Sequence, residues 1–518
     1  MTQLIQTQLG ADGVLLATIN MPGRAMNVFS LDLMNALDAL MDEVDRNDAI
    51  RSVVLTSGKS TFLAGADLIM VRGYTERAST ASADDMFELC GRLGRQFVRL
   101  EASFKPWVAA VNGLAMGGGL ELAMACRARL VTDNPRTQIS LPEVRWGLLP
   151  GAGGTQRMPR LIGFGPAMAL LLSGRSLDPT EATHLGLFKR MVGAADLLDQ
   201  ARSLAIKLQG QAYDPAVKFV HLAQTDVPAA SAQATLEVAT LNGVAKSDFA
   251  LYPAYGAIID SVLLGARLPL AQATAVEMRQ FLRLMFNPVA GNMVRSLFLN
   301  RQRADKEFAA PPELKIESIR IGLLSDAAKD WAASLAACKL PQIADPQLPS
   351  DTLAIVDSSG QVTQLAVRDL APRSLDSALS SPTVLISRKG PYGRVIEIIG
   401  ADAQTSERCA KLASHLGALP YRTNARSGVL AGLMGSDGDS PEALDRKSLL
   451  AAKLAAEGQI ADVELFDVVA CAASIAPACS GGPFTHLWQH RDRLCAQLDQ
   501  ATRQKWPQLE SKLQKAYA

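Results

Sequence analysis

The amino-acid sequence predicts an α/β protein with more than one domain. Short apolar runs alternate with amphipathic helical patterns in two separate regions, and this alternation is typical of α/β folds. The chain has 518 residues, which is longer than one hydrophobic core usually supports. Hydrophobic residues make up 48% of it and charged residues 20%, as in ordinary globular proteins.

The first α/β pattern occupies the N-terminal part of the chain. We expect short buried strands at residues 13–20, 52–58, 106–113 and 128–133. Between the first two, residues 30–48 have apolar side chains at helical spacing, and Ser30 is placed to cap that helix.

The rest of the chain reads as a helical region, a linker and a second α/β pattern. Residues 196–310 are mostly helical in pattern, with a long helix expected at 271–287, and "AAPPEL" (309–314) has the composition of a linker. A last helical region begins near residue 425. Between the linker and that region we expect strands at 319–324, 351–357, 382–387 and 394–400.

Charge and cysteine content exclude several classes of protein. The formal net charge is +1. The composition therefore does not indicate the basic surface with which proteins bind nucleic acid or an anionic membrane. The seven cysteines are scattered and form no C-x-x-C pair, which indicates a reducing compartment and no structural metal. No export signal or membrane-spanning segment is visible. We therefore expect a cytoplasmic protein.

The segment "AMGGGLELAMAC" (115–126) contains one charged side chain, Glu121, in an apolar run that follows three glycines. An unpaired buried carboxylate is costly. Because Glu121 lies three residues after Gly118, a backbone N–H at the helix start and a carboxylate could face the same point. That pairing suits oxyanion stabilisation beside acid–base chemistry. On these residues alone, a tight turn with an exposed or paired Glu121 is the favoured interpretation.

Two further segments change that balance. "ISLPEVRWGLLPGAGGTQRM" (139–158) carries Glu143 just after Pro142, and "STFLAGADLIM" (60–70) has small residues around Gly65. Taken singly, the first is a surface loop with a carboxylate. The second is a strand-to-helix turn in which Asp67 is the N-cap.

In this order the three segments resemble the enoyl-CoA hydratase/isomerase family, also called the crotonase family. The matching pieces are "FLAGADL", "KPWVAAVNGLAMGGGLELAMAC" and "LPEVRWGLLPGAGGTQRMPRLIG". "MPGRAMNVFSLDL" (21–33) is similar to the N-terminal acyl-CoA loop of the family. The resemblance is dense over residues 10–190. It implies a crotonase-type ββα spiral for the N-terminal domain.

The resemblance also implies roles for individual residues. Ala66 and Gly118 match the residues whose backbone N–H groups bind the thioester oxygen, and Glu121 and Glu143 match the two catalytic carboxylates of the hydratases. Because both acids are present, hydration of a 2-enoyl-CoA is favoured, with Δ3-Δ2 isomerisation possible on the same pair. Further substrate-binding residues are expected at Met26, Ala64, Gly65, Asp67 and Gly117.

Some neighbouring positions leave alternatives open. Phe62, Met116 and Trp146 are equally compatible with an acyl pocket and with the core. Many relatives have a Lys that helps to hold the CoA phosphates at the position occupied here by Ile69. Arg72 or Lys59 is a weak candidate to replace it.

The C-terminal part resembles the multifunctional fatty-acid oxidation protein. Residues 251–282 and 296–306 are similar to its connector, and 394–424 and 455–484 to its 3-hydroxyacyl-CoA dehydrogenase part. A dinucleotide site needs a glycine-rich turn after the first strand. Here "IRIGLLSDAAKD" (319–330) offers Gly322 alone.

The histidine that the dehydrogenase chemistry needs is also missing. The five histidines are His184, His221, His415, His486 and His490, and none falls between residues 222 and 414, where the family has its base. Glu397 matches the family's His-orienting glutamate but has no histidine to orient. Asp345 is at a plausible distance for a ribose contact, although an isolated aspartate is usually solvated. His415 is read as a surface or capping residue. His486 and His490, at i and i+4, lack a third metal ligand.

We therefore expect four regions: residues 1–195, a crotonase-like hydratase core; 196–314, a helical extension and connector; 315–424, a degenerate Rossmann-like domain; and 425–518, a helical dehydrogenase-like domain. The expected function is an enoyl-CoA hydratase without NAD or another separate cofactor. The alternatives are a bifunctional hydratase and NAD-dependent 3-hydroxyacyl-CoA dehydrogenase, or a non-catalytic acyl-CoA-binding scaffold. Expected partners are the acyl-CoA substrate and a thiolase or further copies of the chain.

Overall fold

The computed structural model describes most of the chain, which divides into two compact units, residues 1–291 and residues 292–518. The described residues are 4–213, 227–307, 309–323, 340–370, 382–387, 392–423, 428–434 and 440–517. His221, Cys338, most of the segment after Gly322 and residue 425 lie outside them.

The first unit combines two sheets with a series of helices. Its strands are β1 (Ile5–Leu9), β2 (Val14–Ile19), β3 (Ser52–Ser57), β4 (Trp107–Val111), β5 (Ala115–Met116), β6 (Ala128–Thr132), β7 (Ile139–Ser140) and β8 (Arg190–Val192). Its helices are α1 (Leu31–Arg46), α2 (Leu68–Arg77), α3 (Ala83–Glu101), α4 (Gly118–Ala125), α5 (Gly154–Ile162), α6 (Phe164–Ser173), α7 (Pro179–His184), α8 (Leu197–Leu208), α9 (Ala232–Leu241), α10 (Lys246–Leu251), α11 (Pro253–Gly265) and α12 (Leu270–Met285), with a 3₁₀ turn at Glu143–Trp146. Helix α13 (Pro288–Met293) contains the boundary between the units.

The main sheet has the order β1-β2-β3-β4-β6-β8. Strands β1 and β2 are antiparallel, and the following neighbours are parallel. Every residue of β3, β4 and β6 is buried, which explains why these strands appear in the sequence as nearly continuous apolar runs. The four strands predicted in this part of the sequence are confirmed.

Helix α1 shows how the local sequence sets an element. The Ser30 side chain accepts the N–H of Leu33 at 3.3 Å, which satisfies one of the free donors at the helix start. The helix then buries one apolar stripe. That stripe consists of Leu33, Met34, Leu37, Leu40, Met41 and Val44.

The predicted long helix at 271–287 is confirmed as α12. It packs against α11, α3 and α5. Its buried face includes Thr274, Glu277 and Gln280 besides apolar residues, so a carboxylate enters the interior of the first unit from this helix.

The second unit contains a seven-stranded sheet and a helical C-terminal part. Its strands are β9 (Ile316–Ile321), β10 (Gln342–Ala344), β11 (Thr352–Asp357), β12 (Val362–Asp369), β13 (Thr383–Ile386), β14 (Arg394–Ile399) and β15 (Ala418–Thr423). After a π-helical turn at Val294–Leu299, its helices are α14 (Asn300–Glu307), α15 (Ala403–His415), α16 (Val429–Leu433), α17 (Pro441–Ala456), α18 (Val463–Ala472), α19 (Pro483–Gln489), α20 (Arg491–Leu494) and α21 (Gln500–Tyr517), with 3₁₀ turns at Ala478–Ser480 and Cys495–Gln497.

The second sheet corrects the expectation of a Rossmann-like domain. Its order is β10-β9-β11-β12-β13-β14-β15. The pairs β9–β11, β11–β12 and β13–β14 are antiparallel, whereas β9–β10, β12–β13 and β14–β15 are parallel. A doubly wound dinucleotide-binding sheet is mostly parallel. The described strands therefore form a mixed sheet of a different kind.

A tight hairpin is one physical reason for the mixed sheet. Asp357 Oδ1 accepts the N–H of Ser359 at 3.0 Å and that of Gln361 at 3.1 Å, so "DSSGQ" reverses the chain between β11 and β12. Arg408 on α15 then pairs with Asp357 Oδ2 at 2.7 Å. A two-strand reversal of this kind can only produce antiparallel neighbours.

The predicted helical C-terminal region is confirmed from α16 onward, and its helices share a core around Phe466, Phe484 and Leu513. Within the described part of the chain, no helix combines the length and apolar character that crossing a bilayer requires.

Candidate active site

Three loops of the first unit are joined by short strand pairings. Strands β5 and β7 pair residues 115–116 with 139–140, and Leu63 forms a bridge with Ala115. Backbone bonds run from Met116 N–H to Leu63 O, 3.1 Å, and from Gly117 N–H to Ser140 O, 2.9 Å. The segments that carry Ala66, Gly118 and Glu143 are therefore neighbours in space.

The Ala66 loop is held from its other side by Phe29. The Phe29 N–H donates to Gly65 O at 2.8 Å, and the Asp67 N–H donates to Phe29 O at 2.9 Å. Asp67 caps helix α2, since its Oδ1 accepts the Ile69 N–H at 3.0 Å. The loop is thus fixed by backbone bonds on both sides of Ala66, while the N–H of Ala66 itself donates to no acceptor in the described part of the chain.

Two glycines of the "GGG" run are required by the backbone. Gly117 has φ 51°, and a Cβ there would lie 2.5 Å from Glu143 Oε1. A Cβ on Gly119 would lie 2.2 Å from Leu63 O. Side chains at these positions would separate the two loops or displace Glu143.

The N–H groups of Ala66 and Gly118 have no hydrogen-bond acceptor among the described residues. Their segments touch, because a Cβ built on Gly65 would lie 3.7 Å from the nitrogen of Gly118. Gly118 is the first residue of α4, so the positive end of the helix dipole reinforces its donor. Two free donors on adjacent loops can bind one carbonyl oxygen.

Glu121 is anchored through one of its two carboxylate oxygens. Its Oε1 accepts the N–H of Ala152 at 2.8 Å and that of Gly154 at 2.7 Å. Its Oε2 accepts no hydrogen bond from the described residues. The residue is only 2% exposed, so its carboxylate is fixed at one end and unpartnered at the other.

Glu143 lies in the 3₁₀ turn that follows β7. The residue as a whole is partly exposed, yet its Oε2 is buried and has no hydrogen-bond partner among the described residues. The adjacent Gly117 gives the carboxylate room. An unpartnered buried carboxylate oxygen is costly, which indicates an atom available to a ligand, a water molecule or a proton.

A third carboxylate, Glu277 on α12, was missed by the sequence analysis. It is fully buried. Its Oε1 accepts the Gly153 N–H at 2.5 Å, and its Oε2 accepts the Thr155 N–H at 2.9 Å and the Thr155 hydroxyl at 2.5 Å. The signal was present in the sequence, because Glu277 occupies the same helical stripe as Ala273, Met278 and Phe281.

The three carboxyl groups influence one another electrostatically. Burial raises the pKa of Glu121 to about 7, against the opposing effect of the Ala152 and Gly154 N–H groups. Burial and the charge of Glu121 raise the pKa of Glu143 well above its ordinary value, and the charge of Glu277 adds to this. Burial and the charge of Glu121 likewise raise the pKa of Glu277 to about 8. Such a cluster titrates as a unit.

One buried ion pair supports the loop beneath the carboxylates. Arg157 Nε lies 3.1 Å from Glu101 Oε2, and both side chains are almost completely buried. Arg157 Nη1 also donates to Ala152 O at 2.8 Å. Arg157 lowers the pKa of both Glu121 and Glu277, so it partly offsets the effect of burial.

The other predicted substrate-binding residues lie around the Ala66 loop. The Ala64 N–H donates to Asn27 O at 2.9 Å. Asp67 forms an ion pair with Arg24 at 2.9 Å, and Met26 is 43% exposed. These residues border the Ala66 loop, and their roles in binding stay a prediction.

The candidate CoA-binding cations are engaged within the protein. Lys59 Nζ donates to Arg24 O at 2.6 Å, and Arg72 pairs with Glu76 at 2.6 Å. Ile69 is 68% exposed. Phe62 is fully buried, whereas Met116 and Trp146 are partly exposed; of the three, Phe62 belongs to the core.

The dehydrogenase-related positions of the second unit have structural partners. The Gly322 N–H donates to Thr352 O at 3.0 Å, and a Cβ on Gly322 would lie 2.4 Å from Pro349 O. Asp345 Oδ1 accepts the Gln347 N–H at 3.0 Å.

Glu397 binds backbone N–H groups and, among the described residues, no histidine. Its Oε1 accepts the N–H groups of Val429 and Leu430 at 2.6 and 3.1 Å, so the carboxylate caps helix α16 instead of orienting a histidine.

The described histidines of the second unit are equally accounted for. His415 is the exposed last residue of α15, and His486 Nε2 lies 2.8 Å from Asp445 Oδ1. In the part of the chain that the structure describes, no group of three or more metal-ligating side chains occurs.

Comparison with known proteins identifies the N-terminal domain. The profile of the family described as "Enoyl-CoA hydratase/isomerase" matches residues 10–248. The fatty acid oxidation complex subunit alpha of Idiomarina loihiensis is 34% identical over 315 residues, which are 60% of this chain and 43% of the relative. The subunit of the same name from Shewanella loihica is 34% identical over 300 residues, 58% of this chain and 41% of the relative.

Two solved structures also match part of the chain. An enoyl-CoA hydratase from Bacillus anthracis is 25% identical, with TM-score 0.36, 59% of this chain covered and 96% of that chain. A monofunctional enoyl-CoA isomerase from M. smegmatis is 27% identical, with TM-score 0.33, 45% of this chain covered and 98% of that chain.

Residues 10–248 therefore form a domain of the enoyl-CoA hydratase/isomerase (crotonase) family. The chain is homologous to fatty acid oxidation alpha subunits over about three-fifths of its length, and it spans about two-fifths of the length of those relatives.

Proposed function

We propose that the first unit is an enoyl-CoA hydratase that adds water across the 2,3 double bond of a 2-enoyl-CoA. The observation that carries the proposal is the set of four polar groups left unpartnered among the described residues: the N–H groups of Ala66 and Gly118 and the Oε2 atoms of Glu121 and Glu143. Two donors suit an enolate oxygen, and two carboxylates suit one water molecule.

The two N–H groups bind the thioester oxygen. When the water oxygen adds to C3, negative charge develops on that oxygen, and preorganised donors stabilise the charge more strongly in the transition state than in the substrate. An oxyanion donor of this type contributes about 3–4 kcal/mol in acyl-transfer enzymes. Ala66 and Gly118 act through their backbones, so their side chains do not need to be reactive.

The two carboxyl groups share one proton before the reaction. Glu121 is the more acidic partner, because two N–H groups and Arg157 favour its charged form. Glu143 Oε2 accepts no hydrogen bond from the residues that the structure describes, and the carboxyl group is flanked by the charges of Glu121 and Glu277. Glu121 therefore accepts a proton from water, and protonated Glu143 delivers its proton to C2.

A spectrophotometric assay with crotonyl-CoA and a longer 2-enoyl-CoA tests the proposal. We expect loss of the enoyl absorbance with the full chain, and no NADH when NAD is added. If neither substrate loses its enoyl absorbance, the hydratase assignment is wrong, and the acyl-CoA-binding scaffold is the next interpretation.

Isomerisation of a 3-enoyl-CoA is a second candidate activity at the same site. The observation that favours it is the unpartnered Glu143 Oε2, since this oxygen can carry a proton between C2 and C4 when Glu143 enters the reaction ionised. The assay is conversion of 3-enoyl-CoA to the 2-enoyl isomer, and a Glu143→Gln variant is expected to lose it.

The second unit is proposed to have no dehydrogenase activity, although parts of its sequence resemble a 3-hydroxyacyl-CoA dehydrogenase. A dinucleotide would need to approach the backbone around Gly322. That N–H is used by Thr352, and Pro349 O fills the adjacent space. The residues present do not fit NAD. Packing, self-association or binding of a thiolase remain the proposed roles of this unit, and residues 1–195, 196–314, 315–424 and 425–518 remain the proposed functional division.

A further inference from the structure

The loop that begins helix α5 is held by two carboxylates in alternation. Glu121 Oε1 accepts the N–H groups of Ala152 and Gly154. Glu277 accepts those of Gly153 and Thr155. Four consecutive N–H groups are therefore shared between two acids that come from different helices, α4 and α12.

We propose that Glu277 is a positioning residue of the hydration site, which fixes residues 152–155 so that Glu121 can present its free oxygen to water. The catalytic consequence of this inference rests on the proposed function. The hydrogen bonds by which Glu121 and Glu277 hold residues 152–155, called the clamp below, do not depend on that function. Glu277 touches no reacting atom and acts through the loop that anchors Glu121.

The geometry explains why the loop needs both acids. With Gly153 at φ 97°, neighbouring N–H groups point alternately to the two carboxylates. Without Glu277, the N–H groups of Gly153 and Thr155 are buried donors lacking an acceptor, which structures avoid. The loop would change conformation to find acceptors for them, and the hydrogen bonds from Ala152 and Gly154 to Glu121 would change with it.

The Glu277 end of the clamp is itself fixed by buried hydrogen bonds. The Thr155 hydroxyl lies 2.5 Å from Glu277 Oε2 and 2.7 Å from the Ser261 hydroxyl on α11. Gln156 Nε2 donates to Ser261 O at 2.8 Å. Helices α5, α11 and α12 therefore meet at this point.

Several charged groups surround Glu277. Its titration is coupled to that of Glu121 on α4 and Glu143 in the 3₁₀ turn. Arg157 and Arg160 lie on α5, and Glu101 on α3 pairs with Arg157. The negative charge of an ionised Glu277 disfavours a second negative charge on Glu143. Removal of the Glu277 charge therefore lowers the pKa of Glu143. The alkaline limb of the rate profile then moves to lower pH.

Glu277→Gln is the informative substitution, because the amide keeps the shape of the side chain. Both oxygens of Glu277 accept N–H donors, so one of these donors must face the NH₂ group of glutamine. Glu397→Gln is the matched control. There one oxygen accepts both N–H groups and the other has no partner among the described residues, so glutamine fits.

Hydrogen exchange of the full-length chain tests the clamp without any activity. In Glu277→Gln we expect the amides of residues 152–155 to exchange roughly tenfold or more faster, with no such change in Glu397→Gln. Unchanged exchange in Glu277→Gln would overturn the inference. If that variant does not fold, Thr155→Val, which removes the hydroxyl that contacts Glu277, Ser261 and Gln156, is expected to accelerate exchange of the same amides, and its failure to do so overturns the inference.

Kinetics test the consequence for the site. We expect Glu277→Gln to lower kcat roughly 10- to 100-fold with a much smaller change in KM, and to move the alkaline limb of kcat/KM to lower pH. A normal kcat and pH profile beside accelerated exchange would contradict the positioning role. A wild-type protein without hydration, but with the expected exchange result, would contradict only the proposed function.

Discussion

Buried carboxylates occur in both units of this protein, and their surroundings differ. In the first unit, Glu121 and Glu143 each leave an oxygen unpartnered among the described residues, beside two free backbone N–H groups. In the second unit, Asp467 accepts hydrogen bonds on both oxygens, from the N–H groups of Phe484 and Thr485 and the hydroxyls of Thr485 and Tyr517. The first arrangement is open to a ligand, and the second is complete within the protein.

Glu397 shows that an unpartnered oxygen is not sufficient. Its Oε2 is buried without a hydrogen bond from any described residue, and burial raises its pKa to about 7. The opposing contributions come from backbone N–H groups alone, whereas the charges of Glu121 and Glu277 raise the pKa of Glu143. In the first unit, by contrast, several carboxyl groups change one another's pKa values, and they lie beside two backbone N–H groups without an acceptor among the described residues. Acid–base catalysis uses this arrangement.

The largest expected effect comes from the acid pair. Glu121→Gln and Glu143→Gln should each lower kcat for hydration by about 10²- to 10⁴-fold, because proton transfer to or from water is lost. Steady-state assays with crotonyl-CoA measure this. Glu397→Gln, a substitution of the same type in the second unit, is expected to retain wild-type kcat. Equal losses in all three variants would remove the distinction between the units.

Removal of one oxyanion donor should have the next largest effect. Gly118 is the first residue of α4, a position that tolerates proline, so Gly118→Pro deletes the N–H with little change of helix. We expect kcat/KM to fall by about 10²- to 10³-fold. Gly118→Ala keeps the N–H and places a methyl group 3.1 Å from Phe29, so it controls for steric effects. Comparable losses in both variants would argue against an oxyanion role.

The pH dependence of stability should show the contribution of the raised pKa of Glu397. Because its folded-state pKa is raised to about 7 from the ordinary 4.5, it contributes stability below pH 4.5 that is lost as pH rises through 7. Urea unfolding of the full chain should show a loss of stability between about pH 5 and pH 8 that is smaller by about 1–3 kcal/mol in Glu397→Gln, because the raised pKa values of Glu121, Glu143 and Glu277 act in both proteins. The same slope in both proteins would mean that folding does not raise the pKa of Glu397.

The smallest expected effect is that of NAD. Addition of NAD and a 3-hydroxyacyl-CoA should produce no NADH, and titration with NADH should leave its fluorescence unchanged. NADH formation would show that the second unit retains dehydrogenase activity, and the bifunctional enzyme would then replace the hydratase with a catalytically silent second unit.

Much of the first unit could be predicted from local sequence. Strands β2, β3, β4 and β6 and helices α1 and α12 follow from apolar periodicity and capping, and Ser30 and Asp67 cap as expected. Strands β5 and β7 have two residues each, too few for a periodic signal. Yet these strands join the loops of the site, so their pairing depends on the tertiary structure.

The limits of the prediction are also clear at Glu277 and in the second sheet. Glu277 lies more than 120 residues from its partners Gly153 and Thr155, and only the folded chain brings α12 to that loop. In the second unit, apolar runs predicted β9, β11, β13 and β14, but they predicted neither β10, β12 and β15 nor the strand directions. Direction depends on turns such as the one at Asp357, whose hydrogen bonds reverse the chain.

The most direct test of the central claim is product analysis after incubation of a 2-enoyl-CoA with the full chain in D₂O. If Glu121 and Glu143 share one water, the product is a 3-hydroxyacyl-CoA with a hydroxyl group at C3 and one deuterium at C2. Recovery of unchanged 2-enoyl-CoA, or of a product deuterated without a C3 hydroxyl, would contradict the assignment of the pair to hydration.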